Sequence, residues 1–273
     1  MNIFSLQNKT IVLTGAAGFF GKYFSRGLLE FGAKVILVDK TEKVKDLENK
    51  LKREFGERVV SYIVDFYDKE KTINCFNQII KKEKKIDVLV NNAFDFSLRT
   101  GFNDDSGRIE NATYEQLKNS FESGVYWAIL ATQVFSKSMS KTGGGAIINI
   151  CSMYSLISPS PDLYKGTKYF NPPGYSIVKA GLLAFTRYAA SFYAPHIRVN
   201  AILPGAFPNL EEDSFNAVEK TDEEFLKRLK DRTLLKRVGQ PKDLIGVLVF
   251  LASDASAYLT GQAIIVDGGW TVT

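Results

Sequence analysis

Tyr175-Ser-Ile-Val-Lys179 sets a phenol and an ammonium four residues apart, one turn from each other on one face of a helix. A tyrosine ordinarily ionises near pH ~10; a neighbouring cation favours the phenolate and makes the phenol usable for acid/base work near neutrality. Tyr164-Lys-Gly-Thr-Lys168, just upstream, has the same spacing, so spacing alone does not choose between the pairs. A second kind of chemistry is suggested near the N-terminus. Ile11-Val-Leu-Thr-Gly15-Ala-Ala-Gly18-Phe-Phe-Gly21-Lys reads as a strand, a glycine-rich turn and a helix start. Glycines there let the backbone approach a pyrophosphate seated on the helix N-terminus, although the spacing G-x-x-G-x-x-G differs from G-x-G-x-x-G. Asp39, at the end of the next apolar run, can accept hydrogen bonds from adenosine ribose hydroxyls and repels a 2′-phosphate. That favours NAD over NADP, with the adjacent Lys40 partly offsetting the repulsion. Asp65-Phe66 can cap an adenine, and Asn91-Asn92-Ala93 ends the run that follows.

The elements that must position these residues alternate. Apolar runs at Thr10–Leu13, Lys34–Val38, Val59–Val64, Val88–Val90, Ala146–Ile150, Ile197–Ile202 and Ala263–Val266 read as about seven strands. Helical patterns lie between most of them: Gly21–Phe31, Glu42–Phe55, Asp68–Lys82, Thr113–Lys137, Tyr175–Ala194 and Asp243–Leu251. Uniformly apolar strands alternating with helices imply an α/β fold, a doubly wound parallel sheet covered on both faces, built as one domain over residues 1–273. Three long connections follow strands and so fall at the carboxyl edge of the sheet, where open α/β folds bind ligands: Asp95 to Ala112, Tyr154 to Gly174, and Gly205 to Asp222.

Composition narrows the class. With 273 residues, 45% hydrophobic and 24% charged, the chain has the make-up of an ordinary globular protein. No apolar run approaches the ~20 residues of a membrane span, and Met1 to Leu13 lacks the features of a signal peptide; neither a membrane nor a nucleic acid is expected as partner. The net charge of +5 is mild, and its densest run, Lys81-Lys-Glu-Lys-Lys85, complements a helix C-terminus. Two cysteines, Cys75 and Cys151, are too few for a disulfide framework and fit a reducing, cytoplasmic setting. The single histidine, His196, argues against a histidine metal site or a Ser-His-Asp triad, and no metal is expected.

In ordered set, Thr14-Gly15…Gly21, Asp65, Asn91-Asn92-Ala93, Ile148-Asn149-Ile-Cys-Ser152, Tyr175…Lys179-Ala-Gly, Arg198-Val-Asn200-Ala, Pro204-Gly205 and Leu259-Thr-Gly-Gln262…Val266-Asp-Gly-Gly269 resemble the short-chain dehydrogenase/reductase family over nearly the whole chain. The resemblance implies a Rossmann fold. It also chooses the tyrosine: the family's catalytic tyrosine opens a long helix, as Tyr175 does, whereas Gly166 and Pro172-Pro173 stop any such helix after Tyr164. The gap from Ser152 to Tyr175 is then longer than usual in the family and reads as an insertion in the 154–174 loop. Three departures stand out. The glycine spacing resembles the sugar-nucleotide-modifying branch of the family, while the remainder resembles its shorter oxidoreductases. Phe94 replaces a glycine. Gly124 stands where the family usually has a catalytic Asn that helps hold a water in the proton relay; Asn119 is five residues off and would point elsewhere.

By resemblance, hydride moves between the nicotinamide and an alcohol or ketone carbon. Tyr175 exchanges the hydroxyl proton, Lys179 lowers its pKa and holds the nicotinamide ribose, and Ser152 orients the substrate oxygen. Gly15, Gly18, Phe20, Gly21, Asp39, Asp65, Phe66, Asn92, Ala93, Pro204, Gly205 and Phe207 are the further expected cofactor contacts, and Tyr164 becomes a candidate substrate contact. The stretch from Tyr164 to Tyr175 resembles members from bacterial surface-sugar and flagellin-modification pathways, which implies a small-molecule substrate that is a sugar or sugar derivative. A ketoacyl-type reductase is the enzymatic alternative; a nucleotide-binding sensor or structural protein with little turnover is the alternative of another class. Family members form dimers or tetramers through the helices at Thr113–Lys137 and Tyr175–Ala194, to which Phe121, Trp127 and Phe185 can contribute if they are not core residues.

Overall fold

A computed structural model of the chain describes residues 2–211, 218–219 and 222–273. Seven strands form one parallel sheet: β1 (Thr10–Thr14), β2 (Lys34–Asp39), β3 (Val59–Ile63), β4 (Val88–Asn91), β5 (Gly145–Ile150), β6 (Ile197–Pro204) and β7 (Ala263–Val266), in the order β3-β2-β1-β4-β5-β6-β7. Side chains alternate across each strand, and both faces are buried. Ile11, Leu13, Val35 and Leu37 face a layer that includes Phe24, Leu28, Val44 and Leu248. Val12, Ile36 and Val38 face the other layer, with Phe76, Trp127, Phe135 and Ala189. The first layer is supplied by helices α1 (Phe19–Glu30), α2 (Lys43–Phe55) and α9 (Ile245–Ala252). The second comes from α3 (Lys69–Glu83), α5 (Trp127–Lys141) and α7 (Pro173–Tyr193).

The strand order reverses at β1, whose neighbours are β2 on one side and β4 on the other (Leu13 pairs with Leu37 and with Val90). Connections leaving the carboxyl ends of β1 and β4 therefore diverge and open a crevice.

The helix expected at Thr113–Lys137 forms, over residues 114–141, but with a π-helical turn inside it. Thr113 caps α4 (Tyr114–Phe121) with a capping box: its Oγ1 accepts from Gln116 N (3.2 Å) and its N–H donates to Gln116 Oε1 (3.0 Å). A π-helical turn, Glu122–Tyr126, then joins α4 to α5. Gly124 lies in the middle of that wide turn, and its missing Cβ admits Val178 of α7: a Cβ there would lie 2.3 Å from Val178 Cγ2. The 154–174 connection contains the one-turn α6 (Pro161–Tyr164). Pro172 and Pro173, expected to belong to a loop, instead open α7: Pro172 is its N-cap and Pro173 its first residue, where a fixed φ and a missing N–H cost nothing. Of the third connection, residues 212–217 and 220–221 lie outside the described residues. It leads into α8 (Glu223–Arg232), capped by Asp222 and unexpected from the sequence. No described helix is long and apolar enough to cross a membrane.

Candidate active site

At the carboxyl end of β1 the chain turns sharply. Gly15 has φ +65°, a conformation that side chains resist, and a Cβ on it would lie 2.8 Å from Ala93 Cα. The turn is tied to β4 by side chains: Asn92 Nδ2 donates to Thr14 O (3.1 Å) and Gly15 O (2.9 Å), while Thr14 Oγ1 accepts from the N–H groups of Asn92 (3.1 Å) and Ala93 (3.2 Å). Gly21 seats α1 on this turn, where a Cβ would lie 2.2 Å from Gly15 O. Gly18 is exposed at the N-cap, and no side chain caps the helix. The first-turn N–H groups are thus open to an anion at the positive end of the helix. These are the features a dinucleotide's pyrophosphate requires, so the residues fit the cofactor.

Asp39 is buried beside the turn. Its Oδ2 accepts from Ala17 N (2.9 Å), and its Oδ1 accepts from Thr41 N and Thr41 Oγ1 (both 3.0 Å). Lys40 Nζ lies 3.6 Å from Oδ1 of the buried Asp95, which also accepts from the Tyr67 hydroxyl (2.8 Å). Asp65 is exposed, its Oδ1 accepting from Tyr67 N (3.1 Å). Phe66 departs from expectation. Its ring packs in the core at 5.3 Å from Trp127 and 6.0 Å from Phe76, because β3's alternation turns this position inward. Its side chain therefore does not line the crevice.

Ser152, Tyr175 and Lys179 converge at the other end of the crevice. Ser152 follows β5; its Oγ accepts from Tyr154 N (3.1 Å), and its hydroxyl hydrogen-bonds the Tyr175 phenol. Lys179, buried on α7, donates from Nζ to Ile150 O (2.9 Å). Burial holds its ammonium down to about 8. Burial pushes the Tyr175 phenol up to about 12, with the Ser152 hydroxyl pulling the other way. The expected lowering by Lys179 is absent: its ammonium lies 5.7 Å from the Tyr175 ring centroid and is directed at a backbone carbonyl.

Phe94 stands between these groups. Its ring meets Tyr175 edge-on (5.4 Å, 81°) and carries the Lys179 ammonium at 5.0 Å. A Cβ on Gly124 would lie 3.2 Å from Phe94 Cε2. The two departures from the family pattern are therefore one feature, a large ring filling the space next to a missing side chain. Asn119, the nearby asparagine, donates to Arg99 O (3.2 Å) outside this cluster.

The rival pair separates in the structure. Lys168 pairs with Glu219, whereas the Tyr164 hydroxyl points inward, 3.0 Å from the Tyr154 hydroxyl, and accepts from Asn171 Nδ2. Tyr164, Ser152 and Tyr175 line one cleft of about 200 Å³ with Tyr154, Asn171, Phe96, Phe102, Gly205 and Phe207. Pro204 ends β6; Gly205 N donates to Val266 O (3.0 Å). The Phe207 ring meets Phe20 edge-on (5.6 Å, 88°), closing one side between α1 and the segment after β6. Tyr154, Asn171, Phe96 and Phe102 were not singled out from the sequence. The density of aromatics around residues 94–102 was the one local signal.

A family model described as enoyl-(acyl carrier protein) reductase matches residues 15–271. The chain belongs to the short-chain dehydrogenase/reductase family. It is an NAD(P)-dependent oxidoreductase acting on CH–OH groups, with the family's Rossmann fold. The post-translational flagellin modification protein A of Campylobacter coli is 31% identical over 270 residues, covering 97% of this chain and 99% of that protein. The 2-dehydro-3-deoxy-D-gluconate 5-dehydrogenase of Dickeya dadantii is 31% identical over 272 residues, 99% of this chain and 98% of that one. Among solved structures, a putative NAD(P)-dependent gluconate 5-dehydrogenase from Beutenbergia cavernae with bound NADP superposes with a TM-score of 0.85 at 28% identity, covering 100% of both chains.

Proposed function

We propose that this dehydrogenase/reductase acts on a sugar or sugar derivative, with Tyr175 as the proton-exchanging group, Ser152 orienting the reacting oxygen and Lys179 as the buried cation beside them. The observation that carries the reading is the shared cleft: Ser152 and Tyr175 line the same cavity as the Tyr154–Tyr164–Asn171 cluster. The nicotinamide, when bound, gives or takes the hydride. The chain's residues do the remainder. In the reducing direction Ser152 donates a hydrogen bond to the substrate oxygen and Tyr175 delivers a proton to it as charge develops there. A positive Lys179, 5.7 Å from the Tyr175 ring centroid, would have to turn from the Ile150 carbonyl to stabilise the phenolate left behind. Phe94 and the surrounding rings exclude water, which raises the worth of each of these charges.

Gly15, Gly18, Gly21 and the start of α1 would hold the pyrophosphate, and Asp39 the adenosine ribose. Asp65, Asn92 and Ala93 would border the adenosine half, and Phe20, Pro204, Gly205 and Phe207 the nicotinamide half. NAD is the preferred form in this reading. Asp39 brings a buried carboxylate to the ribose, and Lys40, the cation that could greet a 2′-phosphate, is already paired with Asp95. Residues 154–174 form an insertion bordering the substrate, on a chain that acts as one domain.

The assembly is a homo-oligomer through α4 and α7. Phe121, Ile177, Tyr188 and Phe192 are exposed there, with the last two rings stacked (6.1 Å, 12°). Trp127, named with Phe121 as a possible contact, belongs to the core instead, and Phe185 is half-buried against it.

A panel of sugars, sugar phosphates and acyl ketones, read by NADH absorbance with NADH binding measured alongside, tests the reading. Turnover of a sugar is expected. Turnover confined to acyl ketones makes the protein a ketoacyl-type reductase, and cofactor binding with no turnover makes it a sensor.

A further inference from the structure

The cleft at Ser152 and Tyr175 is walled by rings, hydroxyls and amides. Among the described residues no lysine, arginine, aspartate or glutamate lines it. The cations closest in the chain are engaged elsewhere. Arg228 binds the Leu163 and Lys165 carbonyls and Glu224, Arg232 reaches Ser160 Oγ (3.0 Å), and Lys168 pairs with Glu219. Lys179, behind Ser152 and Tyr175, is directed at the Ile150 carbonyl. Among the described residues, therefore, a carboxylate or phosphate entering here would leave water with no lining counter-ion to receive it, a cost that a hydroxyl does not meet.

The polar wall has a donor to spare. The Tyr154 and Tyr164 hydroxyls lie 3.0 Å apart, and Asn171 Nδ2 donates to the Tyr164 oxygen. Two phenols bring two O–H groups, and the bond between them consumes one. The Tyr164 oxygen receives the amide, so one phenolic O–H remains to donate to whatever occupies the cleft. The apolar wall is aromatic: Phe225 lies against Tyr164 (5.9 Å) and Tyr169 (5.0 Å), and Phe96 and Phe102 flank Tyr175 at 5.9 and 5.5 Å. Ring faces beside a strip of neutral donors suit a molecule that shows C–H on one side and hydroxyls on the other.

We propose that the substrate is an uncharged polyhydroxylated molecule, a sugar or polyol carrying neither carboxylate nor phosphate. The Tyr154–Tyr164–Asn171 group accordingly binds a second hydroxyl, distinct from the one that exchanges hydride. The proposal rests on the dehydrogenase reading of the same site and adds to it the charge of the substrate and a second recognition point.

The full chain with NAD is assayed on galactose against galacturonate, glucose against gluconate and against its phosphate ester, and each neutral sugar against its deoxy analogues. The neutral sugar is expected to exceed its anionic counterpart by roughly a hundredfold in kcat/KM. Tyr164→Phe is expected to shrink the preference for a hydroxylated substrate over one deoxy analogue by about tenfold or more. NADH fluorescence shows whether that variant is folded, and Asn171→Ala, which removes the amide donor without touching a phenol, must erode the same preference. Equal or faster turnover of the anionic sugars overturns the proposal while leaving the dehydrogenase reading intact. So does an undiminished preference in both variants. Turnover of no sugar overturns the proposal, and only the absence of turnover on simple ketones and acyl ketones as well overturns the dehydrogenase reading with it.

Discussion

Gly124→Ala should destabilise this protein, against the ordinary sign of the change. Inside a helix, alanine is favoured over glycine by ~0.5–1 kcal/mol. Here the added Cβ would lie 2.3 Å from Val178 Cγ2, 2.7 Å from Val178 Cβ and 3.2 Å from Phe94 Cε2, where carbon atoms normally rest at about 3.5–4.0 Å. Val178 is β-branched and its rotamer is fixed by the helix, so it cannot swing aside. Relief must come from a shift of α7, which carries Lys179 next to Val178 and Tyr175 one turn before it. Overpacking of this kind costs ~1–3 kcal/mol, which leaves a net loss centred at about 1 kcal/mol, within roughly 0–2.5, after the helical gain. Urea unfolding should show a lower midpoint at unchanged slope. The double variant with Val178→Ala should lose less than the sum of the two single changes, by ~1 kcal/mol. Because the strain falls on α7, turnover should drop more than NADH binding. Gly124→Ala as stable as the parent, or strictly additive with Val178→Ala, would refute the packing account of the Phe94–Gly124 feature.

Four further outcomes follow from the same geometry. Lys179 is held by burial at about 8 against an ordinary 10.5; between those values the folded state binds fewer protons than the unfolded, so its contribution to stability rises with pH, a rise that Lys179→Met should lack in urea midpoints. Ketone reduction needs the charge, so kcat/KM in that direction should fall as pH rises through about 8, and a flat profile there contradicts the role given to the lysine. Asp39→Asn keeps an acceptor for the glycine turn but removes the repelling charge, and the NAD-over-NADP preference in kcat/KM should shrink by ~10-fold, about 1.4 kcal/mol; an unchanged ratio would move specificity away from Asp39. Phe121→Asp should dissociate the proposed homo-oligomer in sedimentation velocity, and an unchanged sedimentation coefficient would contradict an assembly through α4.

The sheet was legible because strands buried on both faces are predominantly apolar, and the turn after β1 because glycine is the residue that tolerates its backbone. Choosing Tyr175 over Tyr164 joined helix continuity to the family resemblance, in which the catalytic tyrosine opens a long helix; Tyr175 lies at the start of α7, while Tyr164 ends a single turn. What escaped depends on contacts between distant segments. Phe94 and Gly124 were each visible as departures, yet their contact requires the end of β4 to meet the π turn across α7. The ring of Phe66 was assigned to the crevice because the end of β3 lies there, but alternation sends it into the core. The pairing of Tyr154 with Tyr164 joins the two sides of a loop that carries no periodic pattern. The pKa of Tyr175 was read from its neighbour's charge alone, whereas burial is the larger effect.

The most direct test of the account is hydride transfer by Tyr175→Phe in a single turnover, with NADH binding measured on the same sample. In the proposed mechanism the Tyr175 phenol delivers the proton, so transfer should fall by ~10²–10⁴-fold while NADH still binds within a few-fold of the parent. Transfer within about tenfold of the parent, or its abolition instead by Tyr164→Phe, would contradict the assignment of Tyr175.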